Sequence, residues 1–408
     1  GFGQTLVTWT EWLGRLFLAL IKMVVVPLVF FSLTVGVASL GDVRRLGRLG
    51  GRTVLLFTTT TVLSLTIGVT LANVIRPGHF LSEDDRAGLL ASYEGEAEIT
   101  VGRAAESASL VDQVLAIVPD NPVASLANGD MLQIIFFAVL FGVALTFIDR
   151  ERSRPLVDLL STANDAVVML VHIAMKLAPI GVAALLFKVV GTTGITVLMA
   201  LVAYAGVVLL GLALHAALVY GSIVHFGGRF SFLHFLKGIR PALLLAFSTS
   251  SSSATLPVSK ESVEDNLNVS NEVSSFVLPL GATINMDGTA LYQGVAAIFI
   301  AQIYAFDLSI VQQLTVITSA TLASVGAAGV PGAGLVTLAM VLTTVGVPSE
   351  GLALILGVDR LLDMFRTATN VVGDCSATVF MARLEGNELR YEPGAARLDQ
   401  TPSAGSVP

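Results

Sequence analysis

The chain has 408 residues, of which 54% are hydrophobic and 13% are charged, and its formal net charge at pH 7 is −7. The charged share is about half that of an ordinary globular protein, which argues against a soluble protein with polar outer faces. No basic stretch resembles a nucleic-acid-binding surface, so a nucleic-acid partner is excluded as well.

Long apolar segments predict an all-α polytopic membrane protein, because about 20 apolar residues cross a bilayer core. Helices are predicted over 9–40, 48–76, 108–118, 128–148, 155–188 and 195–225. Arginines between the first two helices contrast with the acidic loop 82–112. By the positive-inside rule, the arginines face the cytoplasm and the acidic loop faces outward.

The apolar segments after residue 230 are interrupted by turn-forming residues. The interruptions are the serine run Ser250–Ser253, the stretch Asn285–Thr289 and the glycine-rich stretch Gly326–Gly334. Non-helical backbone at membrane depth is tolerated only against protein or a watery cavity. The order hairpin, helix, hairpin, helix therefore predicts a repeat with two re-entrant hairpins around a binding site. Flexible surface linkers, the alternative interpretation, fit poorly because both runs have apolar flanks.

The last apolar segment, 351–384, carries polar residues at helical spacing. They are Asp359, Asp363, Arg366, Asn370 and Asp374, which share one helix face, with Arg360 farther round. Each charge costs about 2.5–3.5 kcal/mol at the bilayer centre, so these side chains must face a cavity or each other. A routine Asp363–Arg366 ion pair is one alternative, but it would leave Asp359 and Asp374 unpaired within the helix.

The residue types on this face suit a charged small molecule or ions. Arginine binds a carboxylate through two hydrogen bonds, aspartate suits an ammonium group and asparagine suits an α-carboxylate, so an acidic amino acid is one candidate. The stretch Asn285–Thr289 offers oxygen ligands for an alkali cation. The Thr58–Thr61 hydroxyls either add ligands or bond to their own helix. His215 is interpreted as a packing residue in preference to a proton relay.

Four motifs, in order, resemble the dicarboxylate/amino acid:cation symporter family from about Trp12 to Leu384. They are the serine-rich tip ending in Thr255-Leu256-Pro257, the break Asn285–Thr289, the tip Gly326–Gly334 and the polar helix Asp363–Asp374. The resemblance implies a glutamate-transporter fold with inverted repeats and two re-entrant helical hairpins. It also implies a homotrimer with an elevator-type transport domain. The implied activity is sodium-coupled symport of aspartate or glutamate by a multi-pass protein of the cell membrane, a prokaryotic inner membrane.

The same resemblance implies a division of the chain. The parts are a scaffold helix (1–42), a transport-domain helix (43–80), an acidic extracellular loop (81–107), scaffold and trimerisation helices (108–190), the transport domain (191–386) and a polar tail (387–408). Within the transport domain lie hairpin 1 (about 232–260), a broken helix (about 271–305), hairpin 2 (about 310–346) and the substrate helix (about 350–384). The family has one helix before the one beginning near Trp9, and we expect this sequence to lack it.

The resemblance also implies roles for individual residues. Arg366 would bind the substrate's side-chain carboxylate and Asp363 its amino group, with Asp359 in support. The implied substrate-binding set is Ser251, Ser252, Ser253, Thr289, Val330, Pro331, Gly332, Gly334, Asp363, Arg366, Thr367 and Asn370. Three sodium sites, with no organic cofactor, would draw on Phe57, Thr60, Thr61, Gly281, Thr283, Asn285, Met286, Asp287, Ser324, Val325, Ala327, Asn370 and Asp374.

The sequence departs from the family at three positions. Ser250 and Met364 stand where a second arginine commonly supports the site, and Gln293 replaces a proton-carrying glutamate of animal relatives. A proton-coupled C4-dicarboxylate carrier remains an alternative, although Asp363 disfavours it because a dicarboxylate has no ammonium group. An anion-conducting channel is a second alternative. Enzymatic activity is not expected, because no histidine or lysine base is related to the serine run.

Overall fold

A computed structural model describes residues 2–38, 47–81, 118–193, 196–325, 332–348 and 351–391, and within these ranges it contains helices and turns but no strand. The first helices are α1 (Phe2–Ala38), α2 (Gly47–Ile75), α3 (Pro122–Asn128), α4 (Met131–Phe147), α5 (Arg150–Thr193) and α6 (Thr196–Leu214). They are followed by α7 (Phe232–Gly238), α8 (Arg240–Thr249), α9 (Ser252–Leu267), α10 (Asn271–Ile284), α11 (Asp287–Ile303), α12 (Ile310–Val325), α13 (Ala333–Thr344) and α14 (Leu352–Leu384).

Several predicted boundaries are wrong. The first helix begins at Phe2, not at residue 9. The helix predicted over 128–148 begins at Met131, after a separate short helix, α3, that was not predicted. Gly129 ends α3 in a left-handed conformation with φ of 76°, which glycine adopts at little cost. α6 continues beyond its last α-helical residue as π-helical turns, His215–Tyr220 and Ile223–Gly227. The helix predicted over 108–118 lies outside the described residues, apart from Val118.

Helices α1, α4 and α5 pack together as one bundle. α1 contacts α5 along much of its length, and the Thr34 hydroxyl lies 3.4 Å from the Ala138 carbonyl oxygen in α4. Gly181 permits the close approach of α5 to α1, because a Cβ atom at this position would lie 2.5 Å from Cβ of Phe17. These helices correspond to the ranges for which the family resemblance implies a scaffold.

Two described helical segments, Leu49–Phe80 and Leu198–Gly227, are long and apolar enough to cross a membrane by length and composition. Both carry large apolar side chains on their outer surface, including Leu55, Met199 and Val202. Large apolar side chains on the surface are typical of lipid-facing helices. In length, composition and exposed side chains, these two segments therefore meet the requirements of a membrane-spanning helix.

The buried apolar residues form two clusters, and both the broken helix and α14 run from one cluster to the other. Residues of α11 belong to the first cluster and residues of α10 to the second. Along α14, Leu352–Leu362 contribute to the first cluster and Val371–Ala382 to the second. The break at Asn285–Met286 and the polar middle of α14 thus coincide with the change of cluster.

Two helix pairs flank this region. α8 and α9 contact each other across Ser250, whose left-handed backbone (φ 53°) reverses the chain. α12 and α13 also contact each other, and the segment 326–331 between them lies outside the described residues. We refer below to the α8–α9 pair and the α12–α13 pair.

Candidate functional site

Arg366 lies at the centre of the polar face of α14 and is fully buried. Its Nη1 is 3.1 Å from Oδ1 of Asp359 and its Nη2 is 2.7 Å from Oδ1 of Asp363. The guanidinium carbon stands 3.8 Å from the centre of the Tyr292 ring in α11, a cation–π contact. The expectation that Asp359 is unpaired within the helix is therefore wrong, because two turns of helix bring it onto the same guanidinium.

Asp363 connects this centre to the α12–α13 pair. Its Oδ2 accepts a hydrogen bond from the backbone N–H of Gly332 at 3.3 Å and lies 3.7 Å from Nη1 of Arg360. Gly334 sits against the guanidinium, since a Cβ atom there would lie 3.3 Å from both Nη1 and Nη2 of Arg366. The start of α13 therefore covers the Arg366–Asp363 ion pair closely.

Asn370 joins α14 to the helix break. Its Oδ1 accepts from the backbone N–H of Gly288 at 2.7 Å, and this bond satisfies one of the N–H groups that the first turn of a helix leaves free. Its Nδ2 lies 3.2 Å from Sδ of Met286 and 3.3 Å from the hydroxyl oxygen of Thr289. One amide thus fixes the start of α11 beside the predicted substrate residues.

Asp287, the first residue of α11, is buried and receives several hydrogen bonds. Oδ1 accepts from the Thr61 hydroxyl at 2.6 Å, whereas Oδ2 accepts from the Tyr220 hydroxyl at 2.7 Å and lies 3.1 Å from Nε2 of His215. The Ser64 hydroxyl donates to the Asp287 backbone carbonyl at 2.7 Å. A carboxylate at a helix N-terminus is favoured by the helix dipole.

Asp374 forms a second buried carboxylate centre one turn beyond Asn370. Its Oδ1 accepts from Nδ2 of Asn285 at 2.9 Å. Oδ1 of Asn285 is buried and has no hydrogen-bond partner among the described residues, as expected of an oxygen available to a cation. Gly281 lies against the same carboxylate, since a Cβ atom there would be 2.5 Å from Oδ1 of Asp374.

The threonine run of α2 divides between the two interpretations open from sequence. Thr58 and Thr59 are exposed and bond to carbonyls four residues earlier. Thr60 and Thr61 are buried, and both hydroxyl oxygens lie within hydrogen-bond distance of the Phe57 carbonyl oxygen, at 3.0 and 2.8 Å. Thr61 in addition reaches Asp287. Of this run, therefore, Thr61 contacts the Asp287 carboxylate, whereas Thr60 is buried with its hydroxyl bonded to its own helix.

The remaining predicted residues are less uniformly placed. Ser251 and Ser252 are buried at the turn of the α8–α9 pair, where the Ser251 hydroxyl caps α9 by accepting from Ala254 N, whereas Ser253 is exposed. Thr367 and Ser324 are buried and Thr283 is exposed, with its hydroxyl bonded to its own helix. Ala327, Val330 and Pro331 lie outside the described residues, and of Val325 only its place at the end of α12 is described.

Sequence reasoning missed His215, Tyr220, Ser64 and Tyr292 as parts of this region. The His215 ring is buried, as a packing residue is, and in addition its Nε2 lies 3.1 Å from the Asp287 carboxylate. A histidine and a tyrosine five residues apart in an apolar segment were the available signal. In the π-helical turn His215–Tyr220, residues five apart lie on the same side of the helix, which α-helical spacing does not predict. The approach of both side chains to one carboxylate could therefore not be predicted from α-helical periodicity.

Comparison with known proteins identifies the family. The model of the sodium:dicarboxylate symporter family matches residues 1–384. The chain belongs to this family. It is 38% identical over 396 residues to a proton/sodium-glutamate symport protein of Geobacillus stearothermophilus, which covers 97% of this chain and 92% of the relative.

Two further relatives show the range of transport within the family. A proton/glutamate-aspartate symporter of Escherichia coli (strain K12) is 39% identical, covering 91% of this chain and 84% of the relative. A C4-dicarboxylate transport protein of Rhodospirillum rubrum is 40% identical, covering 92% of this chain and 82% of the relative. Membership makes the chain a membrane transport protein of the symporter class.

Proposed function

We propose that the chain is a secondary active transporter that couples entry of sodium to entry of an acidic amino acid, L-aspartate or L-glutamate. The observation that carries the proposal is the buried Arg366 guanidinium held between the carboxylates of Asp359 and Asp363. A site with one cation and two anions suits a ligand that itself carries a carboxylate and an ammonium group.

Substrate binding would proceed by exchange of ion-pair partners. The substrate's side-chain carboxylate binds Arg366, its ammonium group binds Asp363, and Asp359 stays on Nη1 of the guanidinium. Arg366, Asp359 and Asp363 each keep an opposite charge throughout, which avoids the several kcal/mol that an unpaired buried ion costs. Asn370 and the Ser251–Ser253 turn hold the α-carboxylate, and Thr289, Thr367 and the α12–α13 tip complete the site.

Sodium binding would use the two buried carboxylates that have no arginine or lysine partner among the described residues, Asp287 and Asp374. Sodium prefers hard oxygen ligands, and carboxylate, amide and hydroxyl oxygens lie around the break between α10 and α11. The remaining ligands are carbonyl groups freed where α10 and α12 end. Three sites drawn from the predicted cation set are proposed.

Coupling follows from the position of Asn370. Its side chain bonds to Gly288 and approaches Met286 and Thr289, so it belongs both to the helix break and to the substrate face of α14. Sodium bound at the break fixes the start of α11 and thereby orients Asn370 and Thr289 for substrate. A ligand that binds only the ordered arrangement is then favoured by sodium, and by reciprocity favours sodium binding in turn.

The movement proposed is of the elevator type. The stationary scaffold of a homotrimer consists of α1, α4 and α5. The moving domain consists of α2 and α6–α14, and it carries the site across the cell membrane that this multi-pass protein spans. The α8–α9 and α12–α13 pairs act as re-entrant gates. The contact of Gly332 with Asp363 supports a gating role for the α12–α13 pair, because opening it would uncover the ion pair.

The runner-up is proton-coupled transport of C4-dicarboxylates, the substrates named for the Rhodospirillum rubrum relative. Asp363 argues against it, since a dicarboxylate presents no ammonium group and would meet a like charge. The deciding experiment is uptake of labelled L-aspartate and succinate into proteoliposomes with an imposed sodium gradient. Sodium-driven accumulation of aspartate, with weaker inhibition by succinate, is expected. Aspartate uptake that is unchanged without sodium would exclude coupling to sodium.

A further inference from the structure

Asp363 lies between two arginines, not one. Arg366 binds its Oδ1 from inside the protein at 2.7 Å, and Arg360, one helical turn earlier, approaches its Oδ2 at 3.7 Å from outside. The two arginine side chains differ in environment: that of Arg366 is fully buried, whereas that of Arg360 is 58% exposed. Oδ2 also accepts the Gly332 N–H, so Arg360 reaches the carboxylate where the α12–α13 pair covers it.

The exposure of Arg360 has a physical consequence in a membrane helix. A charged side chain that faces lipid at mid-depth is energetically unfavourable. An exposed arginine inside the 33-residue helix α14 must therefore face water or another polar surface. Its pairing with Asp363 puts that water-facing charge at the rim of the proposed substrate site.

Arg360 also changes the charge of the site. Asp359, Asp363 and Arg366 alone sum to −1, and with Arg360 the sum is zero. A monoanionic amino acid brings its own ammonium for Asp363, but a dianionic C4-dicarboxylate brings only negative charge. The positive charge of Arg360 therefore matters more for the dicarboxylate than for the amino acid.

We propose that Arg360 helps to determine substrate specificity by acting on Asp363. Its positive charge offsets the negative charge of that carboxylate, and the site can therefore still bind C4-dicarboxylates. This inference rests on the proposed function and refines its substrate class. In the resting pair, Arg360 neutralises Asp363. An incoming ammonium group displaces Arg360 from that carboxylate, whereas an incoming dicarboxylate leaves the pair in place and uses Arg366.

The test is calorimetric binding of L-aspartate and of succinate, in sodium, to the purified full chain and to Arg360→Ala and Arg360→Lys. The matched control is Arg390→Ala, since the Arg390 side chain is 63% exposed and pairs with Glu388 at 2.9 Å outside the membrane helices. The exposed position of Arg360 favours folding of the variants, and equal elution and thermal unfolding of all four proteins verify it.

Arg360→Ala should weaken succinate relative to aspartate by about three- to tenfold, the effect expected for one partly screened charge acting on a dianion against a monoanion. Arg360→Lys should restore most of the ratio, and Arg390→Ala should leave it unchanged. An unchanged or reversed ratio in Arg360→Ala would overturn the inference while leaving the amino-acid function intact.

The wild type separates the two claims. If it binds aspartate only with sodium, the proposed function stands and the variants decide the role of Arg360. If it binds succinate but no aspartate, the proposed function fails, and Arg360→Ala must still weaken succinate at least threefold for the inference to survive. A wild type that binds neither acid overturns both claims.

Discussion

Nη1 of Arg366 lies 3.1 Å from Oδ1 of Asp359, seven residues earlier on the same helix. Two helical turns separate the residues, so the long arginine side chain must run back along the helix to reach the carboxylate. The contact leaves Nη2 for Asp363 and places the guanidinium over the Tyr292 ring. Asp359 therefore fixes the direction in which Arg366 presents its donors.

Arg366→Ala should strongly weaken the recognition of acidic side chains. Removing one partner of a buried, hydrogen-bonded ion pair costs about 2–5 kcal/mol, because the other charges are left unpaired. Aspartate binding measured by calorimetry should weaken accordingly, and Arg366→Lys should recover little because lysine lacks the planar fork. Aspartate binding of normal strength in Arg366→Ala would show that the substrate carboxylate binds elsewhere.

Asp363→Asn should separate amino acids from dicarboxylates. The amide cannot pair with an ammonium group, so aspartate affinity should fall by more than about tenfold, while succinate affinity should hold or rise because a like charge is gone. Competition binding against both acids measures the change. Asp158→Asn is the matched control, since Asp158 is exposed and pairs with Arg154 on the surface of α5. A parallel loss of both acids would mean that Asp363 is only structural.

Gly281→Ala should impair sodium binding in particular. The new methyl group would lie 2.5 Å from Oδ1 of Asp374, so the carboxylate must move, and overpacking of this kind costs about 1–3 kcal/mol. The sodium concentration for half-maximal aspartate binding should rise. Gly206→Ala in α6 is the control, because a Cβ atom there meets nothing within 4 Å. If the two variants need the same sodium concentration, Asp374 does not hold the ion.

Tyr220→Phe should weaken the cluster around Asp287. The variant removes the 2.7 Å hydrogen bond to Oδ2 and leaves a buried acceptor short of a donor, at a cost of about 1–3 kcal/mol. Thermal unfolding in detergent should occur at lower temperature, and sodium should restore more stability to the variant than to the wild type. Tyr391→Phe, outside the membrane helices, is the comparison. If sodium raises the unfolding temperature of Tyr220→Phe and of the wild type by the same amount, that result would argue against an ion beside Asp287.

Much of the fold follows from hydropathy and turn chemistry. The predicted helix 48–76 agrees with α2, and the predicted break at Asn285–Thr289 agrees with the end of α10 at Ile284 and the start of α11 at Asp287. These elements are strongly marked, because a long apolar run has no other stable form in a bilayer. The polar face of α14 was predictable for the same reason, since 100° periodicity fixes which side chains share a side.

The contacts between distant parts of the chain were less accessible. Nothing local to His215 indicates that it meets Asp287, 72 residues later, through π-helical turns. Likewise nothing local to Tyr292 indicates that its ring lies against the Arg366 guanidinium, which belongs to a different helix. Pairings of this kind are set by packing of whole helices, which no periodicity encodes.

The most direct test of the account is calorimetric titration of the purified chain with L-aspartate at increasing sodium concentration, with choline replacing sodium at constant ionic strength. We expect no measurable aspartate binding without sodium and an apparent affinity that rises steeply with sodium, because the ions order the helix break that holds Asn370 and Thr289. Aspartate affinity that is the same in choline and in sodium would contradict it.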